Sequence, residues 1–200
     1  MGHLPARILE QAMRTEKKAE SGAGSIHWLE ALSAARASPA AGSAAAIAGA
    51  LGVALLIKLA RLTQPQDMPD HDQLVVRLVA ARDRLAALAE ADSAAMTAWI
   101  RTRRLPADDP ARQAALRAIV DIPLEVAELC QAVTIEAQPL LERGHPPVLP
   151  DGQVGLQLLE ACQRAMGSLV QANLSALADL AWIQGVQTRL ERLNQCKAIY

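Results

Sequence analysis

Few side chains in this chain could do acid–base or nucleophilic work, and two carboxylates stand out. Asp92 sits in a helical pattern among Ala89, Ala91, Ala94 and Ala95, whose short side chains leave room around a group able to take or give a proton. Asp151 follows the Pro-rich run 144–150 and is expected to cap the helix that comes next. A third feature is Pro39-Ala40-Ala41-Gly42-Ser43, which opens directly into a long apolar helix. Gly42 removes bulk and Ser43 offers a capping hydroxyl. The unpaired N–H groups of the first turn, with the helix dipole, make a place for a carboxylate or other anion. Asn173 lies inside a leucine-rich helical stretch, and a buried amide needs partners.

Other chemistries are poorly served. Cys130, Cys162 and Cys196 are widely separated and lack a CxxC pairing, so reduced, buried thiols of a cytoplasmic protein are expected. Histidines stand only at 3, 27, 71 and 145, too scattered for a local metal motif, and no metal site is expected. No P-loop, HExxH or GxSxG motif occurs. The formal charge of −1 provides no broad basic field, so neither nucleic acid nor an anionic membrane surface is an expected partner. The cluster Arg101, Arg103 and Arg104 suits the negative end of a helix dipole without any phosphate.

The elements that must position these residues are helices. Of 200 residues 52% are hydrophobic but only 2% aromatic, with no Phe, so the core is built from Ala, Leu, Val and Ile with close helix contacts. The central element is expected to be the stretch from Ala44 to about Thr63. It has no polar side chain before Lys58, and Ala45, Gly49 and Val53 form a stripe of small residues. Its uninterrupted apolar run is too short for a membrane span, which needs about 18–20 residues.

Residues 1–20 form an amphipathic helical extension with Leu4, Ile8, Leu9 and Met13 at helical spacing, and have no secretory-signal pattern. A helix from Ile26 to about Ala37 carries Trp28, Leu29 and Leu32 on one face. Asp72 to about Arg103 carries Leu74, Leu78, Leu85, Leu88 and Met96. Asp109-Pro110 starts a further helix by the cap-then-proline arrangement, and Pro123 is expected to kink or divide it. Helices from 152 to about 185 and from 186 to 200 complete the pattern. The sequence thus predicts an all-α fold: one helical domain over 25–200, a bundle of about seven helices around a buried central helix rich in small residues.

The order of segments adds a family likeness. SIHWLEALSAARASPAAGSAAAIAGALGVALLIKLARLT resembles the opening of the formiminotransferase-cyclodeaminase and methenyltetrahydrofolate cyclohydrolase family, in which a Pro-Gly-Gly-Gly-Ser turn precedes a small-residue helix ending in Asn-Leu-Thr. LAEADSAAMTAWIRTRRLPADDPARQAALRAIVDIPLEVAELC is similar to the family's Asp-containing helix, Leu-Pro turn and Val-Pro-Leu segment, and GHPPVLPDGQVGLQLLEACQRAMGSLVQANLSAL to its later loop and closing helix. The resemblance implies a homodimeric, all-helical protein acting on the one-carbon unit of tetrahydrofolate or a related pterin, with no cofactor beyond that substrate. It implies Asp92 and Asp151 as catalytic candidates, and Gly42, Ser43, Arg61 and Asn173 as substrate-binding ones. The chain departs from the pattern at several places. Ala40 and Ala41 replace two glycines, Arg61 replaces Asn, Met96 an aromatic residue, His145 an Asn and Pro150 a Ser. Two readings follow. One is a cyclohydrolase, or a cyclodeaminase, on a methenyl- or formimino-tetrahydropterin. The other is a paralogue that keeps the bundle as a binding or assembly subunit without catalysis.

Overall fold

The computed structural model describes residues 22–68, 70–175, 177 and 179–195. The expected extension over 1–20 and Cys196 lie outside the described residues. All regular structure among them is helical: α1 (Gly22–Ser33), α2 (Ala41–Leu62), α3 (His71–Thr102), α4 (Pro110–Glu136), α5 (Gln138–Arg143), α6 (Leu149–Leu174) and α7 (Leu180–Gln195), with short 3-10 turns at Pro65–Asp67 and Pro146–Val148. The chain divides into two compact units, 1–36 and 37–200. In the first, α1 ends where Arg36 Nε donates to the Ala31 carbonyl at 3.2 Å. Leu29, expected on its apolar face, is 58% exposed.

In the second unit α2, α3, α4 and α6 run up and down, each antiparallel to its neighbours, and α7 lies along α4. The reason lies first in composition. Helix α2 has side chains so small that its neighbours reach its backbone. A Cβ on Gly52 would lie 2.6 Å from the Gly155 carbonyl oxygen, and one on Gly155 would lie 2.7 Å from the Gly52 carbonyl oxygen. One turn earlier, Gly49 faces the sulfurs of Cys162 and Cys130 at 3.1 and 3.2 Å from where its Cβ would stand. Both thiols are buried and reduced, as expected. The neighbouring Cys162 thiol and burial push the Cys130 thiol above its ordinary range. The small-residue contact is therefore made by Gly49 and Gly52 more than by the Ala45–Gly49–Val53 stripe; Ala45 is only half-buried. Helix α2 is long and apolar enough to cross a membrane, with a mean hydropathy of 2.0, but half of that window is buried inside the bundle.

Helix α3 faces the core with Leu74, Leu78, Ala81, Leu85, Leu88, Asp92 and Ala95, all buried, in alternating steps of four and three. Its start is tied to the end of α2 by His71, whose Nε2 meets the Ala60 carbonyl at 2.8 Å and whose Nδ1 meets Asp72 at 3.0 Å. Acceptors on both ring nitrogens favour the imidazolium, so the Ala60 carbonyl and then Asp72 raise the His71 pKa. The helix begins without a side-chain cap. Asp72 lies within its first turn, and Asp70 before it takes a left-handed φ of 60°. Asp109 caps α4 as expected, accepting from the N–H groups of Ala111 and Arg112 at 2.8 and 3.3 Å, with Pro110 next. Helix α7 is held to α4 by a two-bonded ion pair, Arg189 with Glu128, at 2.7 and 2.6 Å.

Several boundaries differ from expectation. Pro123 does not divide its element into two, and α4 runs continuously through it from Pro110 to Glu136. The Pro-rich run 144–150 stops the helix only briefly. A 3-10 turn leads into α6, which takes Pro150 in its first turn where no N–H partner is lost. Helix α6 ends at Leu174, and α7 begins at Leu180, earlier than expected.

Because a Cβ at Gly52 would meet backbone and not the tip of a flexible side chain, Gly52→Ala or Gly155→Ala must push α2 and α6 apart. Each is expected to lower stability by about 1–3 kcal/mol. Gly185 on α7 has nothing within 4 Å of its Cβ position, so Gly185→Ala is expected to raise stability by about 0.5–1 kcal/mol. Urea unfolding of the three variants checks this, and a neutral Gly52→Ala would contradict the close crossing.

Candidate functional site

The start of α2 and the second half of α3 meet at one small polar junction inside the apolar bundle. Ser43 and Asp92 are 2% and 8% exposed, the two most deeply buried polar residues on these helices. Ser43 Oγ donates to Asp92 Oδ2 at 2.9 Å and lies 2.9 Å from Ser93 Oγ. With its one proton given to the carboxylate, Ser43 accepts from Ser93, so the hydroxyls form a chain Ser93 to Ser43 to Asp92. Ser38 Oγ in turn donates to the Ser93 carbonyl at 3.3 Å.

Gly42 is what lets the carboxylate sit there. A Cβ at this position would overlap Cγ and both carboxylate oxygens of Asp92. The helix N-terminus expected to hold an anion holds one supplied by the chain itself, at the positive end of the α2 dipole. Ser43 does not cap α2; the N-cap is Ala40, without a side-chain bond, and the Ser43 hydroxyl is spent on Asp92. The two alanines that replace family glycines are tolerated for a simple reason. Ala40 has an ordinary extended φ of −133°, and Ala41 is exposed.

Asp151 and Arg61 are at the other end of the same helix. Asp151 lies in the first turn of α6 and accepts from Lys58 Nζ at 2.5 Å, both side chains being partly exposed. Arg61 is exposed one turn beyond Lys58 and makes no ion pair among the described residues. This end is closed by Thr63, whose Oγ1 donates to the Leu59 carbonyl at 2.9 Å and accepts from the His145 N–H at 3.0 Å. From Ser43 to Lys58 is fifteen helical steps, about 22 Å at 1.5 Å per residue. The candidates therefore fall into two groups: Gly42, Ser43 and Asp92 at one end, Arg61 and Asp151 at the other.

Asn173 has a different partner again. Pro123 has no N–H to give to the Ile119 carbonyl four residues back, and Asn173 Nδ2 donates to that oxygen at 2.8 Å. Ile119 shares a small buried cluster with Ala95, one turn beyond Asp92, so Asn173 is at the Asp92 end. Sequence reasoning missed Ser93, Ser38, Lys58 and Thr63. Ser93 was adjacent to Asp92, and Asp92 itself continues the buried step pattern of α3, a stronger signal than its alanine neighbours.

A family model described as formiminotransferase-cyclodeaminase matches residues 26–192. The chain belongs to this family. It is 31% identical over 172 residues to a formimidoyltransferase-cyclodeaminase of Sus scrofa, a match covering 80% of this chain and 32% of the relative. It is 28% identical over 179 residues to a methenyltetrahydrofolate cyclohydrolase of Methylorubrum extorquens, covering 83% and 86% of the two chains. The chain thus spans about a third of the mammalian relative and most of the bacterial one. The crystal structure of a formiminotetrahydrofolate cyclodeaminase from Thermotoga maritima superposes with a TM-score of 0.79 at 20% identity, over 84% of this chain and 86% of that one, which establishes the shared fold. The all-α bundle and the family expected from the sequence are both borne out.

If Asn173 serves the carbonyl freed by Pro123, its removal leaves a buried acceptor unpaired, and Asn173→Ala is expected to cost about 1–3 kcal/mol. Pro123→Ala returns an N–H to Ile119. In that background the cost of Asn173→Ala is expected to shrink, which a double-mutant cycle by urea unfolding measures. Equal costs in both backgrounds would assign Asn173 to some other task.

Proposed function

We propose that this chain hydrolyses the methenyl bridge of a 5,10-methenyl-tetrahydropterin to the 10-formyl form, with Asp92 as the proton acceptor. What supports this most is the pairing of Gly42 with Asp92: of the family's three glycines, the one retained is the one against which a Cβ would strike the carboxylate. Hydrolysis adds a water oxygen to the amidinium carbon and breaks its bond to N5. One water proton ends on N5 and the other is released. The Asp92 carboxylate suits removal of a proton from the attacking water, and the Ser93–Ser43 hydroxyl chain suits fixing its orientation. Gly42 and Ser43 would border the substrate, with Arg61, Asn173 and Asp151 as further contacts, and no cofactor other than the pterin is required. The names of the relatives, a folate cyclohydrolase and formimidoyltransferase-cyclodeaminases, support this chemistry. The working form is a homodimer in the cytoplasm, where the buried thiols Cys130 and Cys162 stay reduced.

The test follows the loss of near-ultraviolet absorbance of 5,10-methenyltetrahydrofolate on adding the protein. Wild type is expected to exceed the buffer rate. Asp92→Asn, which keeps the shape and the Ser43 contact, is expected to reduce turnover by about 100- to 10,000-fold. Asp151→Asn is expected to lower it less. A wild-type rate equal to buffer, with no pterin binding by calorimetry, would instead identify the non-catalytic paralogue.

A further inference from the structure

Cys130 and Cys162 are nucleophilic groups that the proposed reaction does not use. They stand on different helices, α4 and α6, and both face one point of α2. From the Cβ position of Gly49 the Cys162 sulfur is 3.1 Å away and the Cys130 sulfur 3.2 Å. The two thiols are hydrogen-bonded to each other there. The pair is not symmetric. Cys130 donates its S–H to Cys162, which favours a thiolate on Cys162; burial opposes this and the Gly49 backbone N–H supports it, so the Cys162 thiol is held below its ordinary range. The same hydrogen bond, with burial, pushes the Cys130 thiol up. One sulfur is therefore set to attack while the other keeps its proton.

We infer that Cys130 and Cys162 form a peroxide-responsive pair, which hydrogen peroxide converts from two thiols into one disulfide between α4 and α6. In the first step the Cys162 thiolate attacks a peroxide oxygen and the O–O bond breaks. The departing hydroxide takes up the proton that Cys162 released, leaving water and a sulfenic acid. In the second step the Cys130 sulfur attacks the Cys162 sulfur, the S–O bond breaks, and the oxygen leaves as water with the Cys130 proton. Each sulfur gives up one electron, and together they reduce one peroxide to two waters. Contact between the sulfurs decides the course, because a sulfenic acid with a thiol against it condenses before a second peroxide arrives. Burial selects the oxidant. Cys130 is fully buried and Cys162 is 2% exposed, so brief openings of the core admit a molecule little larger than water and exclude bulky thiol reagents. Without peroxide the pair stays reduced. Once formed, the bond ties α4 to α6 one turn from the Gly52–Gly155 crossing. The inference does not depend on the reaction proposed above.

Peptide mapping tests it. In a Cys196→Ser chain treated with hydrogen peroxide, a tryptic map is expected to show the peptides of 130 and 162 joined, about 2 Da lighter than their sum, and dithiothreitol is expected to restore both thiols. Iodoacetamide is expected to leave both thiols of the folded chain unmodified over the same time. The linked chain is expected to unfold at a higher urea concentration than the reduced one, because the bond restricts the unfolded chain. In Cys130→Ala the added oxygen is expected to remain on Cys162, and in Cys162→Ala the thiol at 130 is expected to stay unmodified. Survival of both thiols under peroxide until the chain unfolds would overturn the inference. So would alkylation by iodoacetamide as fast as linking, or a lower urea midpoint for the linked chain. None of these readings passes through turnover, so a chain that links but leaves 5,10-methenyltetrahydrofolate unchanged counts against the proposed reaction and supports the pair.

Discussion

The backbone contact between Gly52 and Gly155 is the constraint on which the bundle depends. Two helices that touch carbonyl to glycine have one register, since a shift of a single residue would bring Val53 or Leu156 into a space that admits no side chain. Register here determines everything at the ends of α2. It carries Asp151 to Lys58 on one side of the crossing and sets Cys162 against Gly49 on the other. Helix α3 is aligned to α2 independently, by His71 on the Ala60 carbonyl at one end and by Asp92 on Ser43 at the other. A carboxylate placed on a helix start without a Cβ beneath it is thus the result of long-range packing as much as of the local Gly42.

That placement bears on how a divergent sequence keeps a site. Ala40 and Ala41 stand where the turn that this segment resembles has glycine, yet neither position needs a left-handed backbone, since among the described non-glycine residues only Asp70 has a left-handed φ. Position 42 is different, because there the cost of a side chain falls on the carboxylate itself. The same logic applies to Asn173 and Pro123. They are 50 residues apart in sequence and on different helices, but one supplies the hydrogen bond that the other removes.

Much of this was legible in the sequence, and the omissions have physical causes. The all-helical class followed from the alanine- and leucine-rich composition, and the helix start at Pro110 from local turn chemistry. The continuation of α4 through Pro123 was not legible because the donor that serves the freed Ile119 carbonyl, Asn173, is distant in the chain. Asp151 was read as a cap and is an ion-pair partner, since Lys58 is brought to it only by tertiary packing. The grouping of the candidates was beyond reach for the same reason. Spacing along a chain says which residues share a face, and Asp92 and Asp151 are on helices whose relative direction is fixed by α2 between them.

The junction of Gly42, Ser43 and Asp92 is the centre of this account: glycine stands at 42 because the Asp92 carboxylate occupies the space a Cβ would take. The most direct measurement of that claim is urea unfolding of Gly42→Ala in the wild-type and Asp92→Ala backgrounds. A cost of about 1–3 kcal/mol is predicted in the first background, where the methyl group strikes the carboxylate, and little or none in the second. Equal costs in both backgrounds would contradict it.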